Sequence, residues 1–314
     1  MSVSIIVPVF NEEGNLRQLY KEIKAGMEGV DRDYEVLFVD DGSRDGSLGI
    51  LLELNAADPR VKVLSFRKNF GQTAAMSAGF DHAAGEVVIT MDADLQNDPA
   101  DIPMLLEKIE QGYDLVNGWR YDRKDKWLSR RLPSIMANKL ISWATDVKLN
   151  DYGCTLKAIR KEVVENITLY GELHRFIPAV ASWMGVRIAE VKVNHRARLS
   201  GTSKYGISRV FRVLLDLITV KFLLSYSGRP IQFFGIPGLL CGSLGGLLAL
   251  YLSFQKLVLG MPLGDRPLLL LAVLLIIVGI QFIVFGLLGE LQIRTYHESL
   301  KKPIYFIKEK HGIE

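Results

Sequence analysis

Between Ile231 and Gly289 the only charged residues are Lys256, Asp265 and Arg266, and all three fall in one short interruption. Residues 231–254 and 268–289 are therefore two uncharged stretches, each longer than the roughly 20 residues that a helix needs to cross a bilayer core. A soluble core helix rarely goes so long without a charge, so this part of the chain is expected to be a membrane hairpin. Basic residues flank it on both sides: Arg229 precedes the first stretch, and Arg294, Lys301, Lys302, Lys308 and Lys310 follow the second. The positive-inside rule then places both ends of the hairpin in the cytoplasm, at the inner membrane. Gly238, Gly242 and Gly246 recur every four residues along the first stretch and suggest a smooth face for helix contact, within the hairpin or in a homo-oligomer.

The preceding residues follow a different period. Short β-branched runs at 3–9, 35–39, 61–65, 86–91 and 114–117 are separated by helical stretches such as 12–27 and 100–111. This alternation predicts an α/β domain with a mostly parallel sheet covered by helices, whose ligands bind beyond the carboxyl ends of the strands. The expected division is a catalytic domain over 1–205, an amphipathic juxtamembrane helix over 206–228, the hairpin over 229–290 and a basic cytoplasmic tail over 291–314. Within the second part, 207–224 carries Arg209, Arg212 and Asp216 on one helical face and apolar residues on the rest, which suits a helix lying in the membrane interface. Residues 127–144 form a second such candidate.

Composition excludes several classes of function. Thirty-eight Lys and Arg against 35 Asp and Glu leave a net charge of only +3, far from the basic excess of a duplex nucleic-acid binder. Nucleic acid is not an expected partner. Cys154 and Cys241 lie in very different surroundings and assemble neither a disulfide framework nor a zinc site, and His82, His174 and His195 have no metal-ligand spacing. The opening residues have no basic n-region, and their apolar run is cut by Pro8 and followed by Glu12 and Glu13, unlike a signal peptide.

The expected strand ends hold the acidic residues. The second ends in Asp40-Asp41-Gly42-Ser43 and the fourth in Asp92-Ala93-Asp94, so four carboxylates share one rim. Clustered carboxylates repel one another unless a cation is present. A hard divalent ion prefers a couple of them together with substrate phosphate oxygens, so a metal with a diphosphate is the natural occupant. The first strand ends in Pro8-Val9-Phe10-Asn11-Glu12-Glu13-Gly14 rather than a glycine-rich dinucleotide fingerprint. Asn11 is a good helix N-cap, and Glu12 and Glu13 also suit a first turn.

Three strings in order, Ile5-Ile6-Val7-Pro8-Val9-Phe10-Asn11-Glu12-Glu13, Val39-Asp40-Asp41-Gly42-Ser43 and Met91-Asp92-Ala93-Asp94-Leu95-Gln96-Asn97-Asp98-Pro99, resemble the markers of inverting nucleotide-sugar glycosyltransferases of family 2. With Arg67-Lys68-Asn69-Phe70-Gly71-Gln72 and the two apolar stretches, the resemblance narrows to polyprenyl-phosphate glycosyltransferases such as bactoprenol glucosyltransferases and dolichol-phosphate mannose synthases. It implies a Rossmann-like GT-A domain. By resemblance, Pro8, Phe10, Glu12 and Asp40 line the nucleoside pocket. Asp92, Asp94 and Gln96 hold Mg2+ or Mn2+ and the diphosphate, with Asp94 also counted as catalytic. Arg120, Arg131, Arg198 and Lys204 meet phosphate or acceptor, the last two in a mobile basic loop around Gly201. The implied partners are a nucleotide sugar, with UDP-glucose the first expectation, and an undecaprenyl or similar polyprenyl phosphate. GDP-mannose or a modified UDP-arabinose are alternative donors, and a catalytically silent membrane scaffold is the rival of another class.

Asp151 resembles the position at which many family members carry the aspartate assigned as catalytic base. A hydroxyl acceptor must lose a proton on attack. A phosphate monoester, with a second pKa of about 6, is already mostly dianionic at pH 7. Asp151 is therefore expected to orient a basic side chain or the sugar hydroxyls instead.

Overall fold

The computed structural model describes residues 1–121, 138, 141–142, 147–167, 169, 173–196, 230–260, 262, 267–299 and 305–313. Arg131, Arg198, Gly201, Lys204, the expected helix 207–224 and nearly all of 127–144 lie outside the described residues. Two compact units are present, Met1–Val220 with Pro303–Glu314, and Lys221–Lys302.

The first unit is built on an eight-stranded mixed sheet of order β7-β5-β6-β4-β1-β2-β3-β8. The strands are β1 (Val3–Val9), β2 (Tyr34–Asp40), β3 (Val61–Phe66), β4 (Val87–Thr90), β5 (Leu115–Arg120), β6 (Lys157–Arg160), β7 (Ile188–Val193) and β8 (Ile307–His311). β1, β2, β3 and β4 run parallel, as does the pair β5 and β7. β6 is antiparallel to both β4 and β5 and joins the two parallel blocks. Val3, Ile5, Ile6 and Val7 are all buried, because β1 is central and covered on both faces.

α1 (Leu16–Met27) buries Leu16, Leu19, Tyr20, Ile23 and Met27, a single stripe of helical period against the sheet. It begins four residues later than the sequence suggests. Asn11 is not its cap but sits at φ 56°, tied instead to the Ser43–Arg44 turn. Further helices among the described residues of this unit are α2 (Ser47–Ala57), α3 (Gln72–His82), α4 (Ile102–Glu110), α5 (Lys161–Glu165) and α6 (Ile177–Ser182).

The C-terminal residues depart from the expected basic tail. Residues 305–313 return to the domain, and β8 pairs antiparallel with β3, His311 opposite Val63 and Lys310 opposite Leu64. Tyr305 stacks on Phe66 at 5.3 Å and donates to Asp81 on α3 at 2.7 Å. The charged alternation of Ile307-Lys-Glu-Lys-His reads as a solvated tail because an edge strand carries charge on its open face.

The second unit is a hairpin of α7 (Pro230–Leu257) and α8 (Pro267–Ser299). Phe234–Leu257 and Pro267–Leu288 are long and apolar enough to cross a membrane. α8 continues past the expected boundary at 290, since nothing in its sequence before Ser299 breaks a helix. The helices approach closely at glycines, and the expected face takes part through Gly238, where a Cβ would lie 2.9 Å from the Gly279 carbonyl, and through the Gly242 backbone. A Cβ on Gly279 would lie 2.7 Å from the Gly238 carbonyl and the Gly242 amide, and one on Gly245 would lie 2.8 Å from the Ala272 carbonyl. The Cβ directions of Gly242 and Gly246 point into open space. Gly279→Leu is thus expected to force the helices apart and lower the thermal midpoint in detergent by several degrees, whereas Gly242→Leu leaves it within about a degree. Equal midpoints for the two variants would contradict this packing.

Candidate functional site

The carboxyl ends of β2, β1, β4 and β5 open on one rim. Asp40, the last residue of β2, is 1% exposed and accepts from the Ser43 amide and the Ser65 hydroxyl. Gly42 follows at φ 68°, and a Cβ there would lie 2.6 Å from the Lys68 carbonyl carbon, so only glycine fits that turn. Asp41 is buried and accepts from the amides of Phe70 and Gly71 at 2.6 and 2.9 Å. It thereby folds the Arg67–Gln72 stretch over the rim.

The first and second motifs interlock. The Glu12 amide donates to Ser47, the Glu13 amide to Asp45, and the Glu13 carboxylate accepts from the Gly46 amide. Pro8 and Phe10 are half-buried at the end of β1, between Asp40 and the fourth strand. The Glu12 carboxylate accepts from Asn15 at 2.6 Å, where it steadies the start of α1.

The loop after β4 carries Asp92 and Asp94. Asp92 is gripped from two sides, by the Gln72 amide at the start of α3 and by the Thr155 hydroxyl, each at 2.7 Å. Thr155 also donates to Asn97, whose side chain accepts from the Asp92 amide. Asp94 is 7% exposed and accepts from the Gln96 amide. Between them Leu95 is held at φ 61° with its side chain buried, a strained backbone that the surrounding contacts maintain. The Gln96 side chain donates weakly to the Arg196 carbonyl at 3.4 Å. Desolvation and the neighbouring Asp94 charge push the Asp92 carboxyl up to about 6. A buried carboxylate whose ionisation is opposed by burial and by a neighbouring acidic residue fits a hard divalent cation, which relieves both costs. Among the described residues no group of three or more His, Cys, Asp or Glu could form an all-protein cage.

Arg120 closes the rim at the end of β5. Its Nε and Nη2 donate to the two oxygens of Asp151 at 2.7 and 2.9 Å, a bidentate pair with Arg120 only 17% and Asp151 3% exposed. Asp151 holds the guanidinium firmly protonated, and that charge is felt in turn at Asp92. The expectation that Asp151 orients a basic side chain thus has a named partner. Of His82, His174 and His195, two take structural places: His82 Nδ1 meets the Ala78 carbonyl at 2.9 Å, and His174 Nδ1 meets Thr73 at 2.7 Å. Thr155 and Glu190, which support this rim, have no motif in the sequence, whereas Asn97 lies within the Met91–Pro99 string. Gln72 closes the Arg67–Gln72 string, and that position was the available signal.

These carboxyls set a pH dependence. Asp41, like Asp92, is pushed up to about 6, by burial and then by Asp40. Unfolded carboxyls titrate near 4, so between about pH 6 and 4 the folded chain binds protons that the unfolded chain does not, and stability rises as pH falls through that window. Asp58, which Arg60 holds low, acts only at lower pH. The midpoint in EDTA is expected to be higher at pH 5 than at pH 7, and a divalent cation should narrow the gap by stabilising the pH 7 state. A midpoint that falls steadily from pH 7 to 5 would contradict this.

The comparisons with known proteins match this arrangement. The family model for glycosyl transferase family 2 matches residues 4–168. The chain is 44% identical over 313 residues to the dodecaprenyl-phosphate galacturonate synthase of Rhizobium johnstonii, covering 98% of this chain and 93% of that one. It is 39% identical over 310 residues to the undecaprenyl-phosphate 4-deoxy-4-formamido-L-arabinose transferase of Shewanella sediminis, covering 98% and 92%. Among solved structures, mannosyl-3-phosphoglycerate synthase from Rubrobacter xylanophilus superposes with TM-score 0.56 at 17% identity over 71% of this chain and 74% of that one. Glucosyl-3-phosphoglycerate synthase from Mycobacterium tuberculosis, in complex with Mn2+, UDP and phosphoglyceric acid, gives 0.55 at 17% identity over 71% and 78%. These two likenesses concern the fold. With motifs, rim geometry and whole-length relatives in agreement, the chain is a glycosyltransferase and belongs to glycosyl transferase family 2.

Proposed function

We propose that the chain transfers a sugar from a nucleoside diphosphate to the phosphate of a polyprenyl phosphate, with inversion at the anomeric carbon. The observation that carries this reading is the near-complete overlap with relatives whose names specify polyprenyl-phosphate acceptors. The membrane-length helices agree with such an acceptor. An acceptor phosphate oxygen attacks the anomeric carbon as the bond to the diphosphate oxygen breaks on the opposite side. Pro8 and Phe10 would wall the nucleoside, with Glu12 and Asp40 beside it. Asp92 and Asp94, with Gln96, would hold Mg2+ or Mn2+, which when bound neutralises the leaving diphosphate. Arg120 would orient the acceptor phosphate, joined by Arg131, Arg198 and Lys204, and Asp151 would keep Arg120 aimed.

For the sugar, the relatives' names favour galacturonate or 4-deoxy-4-formamido-L-arabinose over the glucose first expected, and the modified arabinose was already an alternative donor. We infer cytoplasmic termini from the basic residues that flank the hairpin. Residues 305–313 share a sheet with the N-terminal strands, which supports an even number of membrane crossings between them and so both ends on one side.

The test is full-length protein in detergent with undecaprenyl phosphate, Mg2+ or Mn2+, and radiolabelled UDP-galacturonate, UDP-4-deoxy-4-formamido-L-arabinose, UDP-glucose and GDP-mannose in turn. Lipid-linked label from one donor is the expected result. No label from any would favour a silent scaffold.

A further inference from the structure

Beneath the rim, out of reach of any substrate, lies a cation that the mechanism above does not use. Lys157 opens β6 at the centre of the sheet, opposite Thr90 on β4 and Asn117 on β5. It is 1% exposed and among the largest fully buried side chains. Its ammonium donates to the Asn117 side-chain carbonyl, to the Cys154 carbonyl at 2.5 Å and to the Tyr152 carbonyl at 3.3 Å. All three acceptors are neutral, and no described carboxylate lies within ion-pair distance of the ammonium. Burial brings its pKa down to about 8.

A buried ammonium is costly, and an apolar side chain of similar length would generally make a more stable core. What the charge accomplishes is local. Asn117, itself buried and held by Lys157, donates to the Asp151 carbonyl at 2.8 Å. On the other side the Glu190 carboxylate of β7 accepts from the amides of Asn150 and Asp151 at 2.9 and 3.0 Å. Carbonyls of the 150–155 loop thus point at a buried cation and its asparagine, and its amides point at a carboxylate. The loop has one orientation that satisfies both, and in it the Asp151 carboxylate meets Arg120 in fork geometry.

We infer that Lys157 is a positioning residue for the transfer reaction: its ammonium clamps the Tyr152–Cys154 carbonyls and so fixes Asp151 and, through it, the Arg120 guanidinium. The inference rests on the proposed function for its catalytic consequence, but not for its structural one. The test uses the full-length protein in detergent with Lys157→Met, and with Lys157→Gln, which keeps one amide donor, should the Met variant fail to fold.

Hydrogen exchange reads the loop without any substrate. Amides of 150–155 are expected to exchange about tenfold faster in the variant while the strands stay protected. With undecaprenyl phosphate and the donor that the wild type uses, kcat should fall about a hundredfold with the donor KM within about threefold, since orientation is lost and ground-state binding is kept. Affinity for UDP with Mn2+ should be unchanged. Unaltered exchange in 150–155, faster exchange spread evenly over the sheet, or an unchanged kcat would overturn the inference. If the wild type transfers no sugar, the functional reading fails by itself and the exchange measurement still decides whether Lys157 holds the loop.

Discussion

Asp94→Asn is expected to leave a folded protein whose transfer rate is about a thousandfold lower or undetectable, because an amide cannot supply the anionic ligand that a hard cation and a diphosphate require between them. The neighbouring carboxylate cannot take over. Both oxygens of Asp92 already accept hydrogen bonds, from Gln72 and Thr155, which set its direction and leave it one member of a pair. The fold should not suffer, since losing the Asp94 charge removes a repulsion that raises the Asp92 pKa. Two measurements check this together: transfer rate against divalent cation concentration, and the thermal midpoint in EDTA. Wild-type rates for the variant, with full wild-type activity in EDTA, would remove the metal from the mechanism.

Asp151→Asn should be costly in both stability and rate, for one reason. Arg120 is mostly buried, and its guanidinium is met by both oxygens of a carboxylate that is 3% exposed. Removing one partner of such a pair leaves an uncompensated charge and typically costs about 3–5 kcal/mol. The guanidinium then loses its aim, and a hundredfold or greater fall in rate is expected, on the order of one positioned charge in a transition state. The pH profile distinguishes positioning from proton abstraction. Residual activity should follow the acceptor's second ionisation near pH 6, as the wild type does. An additional ionisation in the wild type that vanishes in the Asn variant would falsify the positioning role and restore a general base.

Most of the site was legible in the chain because its side chains sit where strands end. The runs 3–9 and 61–65 each end within a residue of a real strand, β1 and β3, and Asp40 closes β2. β6, β7 and β8 were not legible. β6 begins with a lysine that is buried only because Asn117 and two loop carbonyls surround it. β8 reads as a charged tail and becomes a strand only because β3 offers an unpaired edge. The glycine period on α7 was visible, but which glycines meet α8 depends on the rotation of one helix against the other.

By itself, then, the amino-acid sequence determined the α/β domain, the two membrane-length helices, the acidic rim and the family, all of which depend on local periodicity and on strings of adjacent residues. Only the tertiary structure decided that Asp151 is held by Arg120, that Gln72 and Thr155 grip Asp92, that Lys157 is a core cation and that residues 305–313 close the sheet. Apart from the Lys157 bonds to the Tyr152 and Cys154 carbonyls, these contacts join residues between about 20 and 250 positions apart. The free energy of a charge in such a place is set by desolvation and by the partners that surround it, which no local pattern encodes.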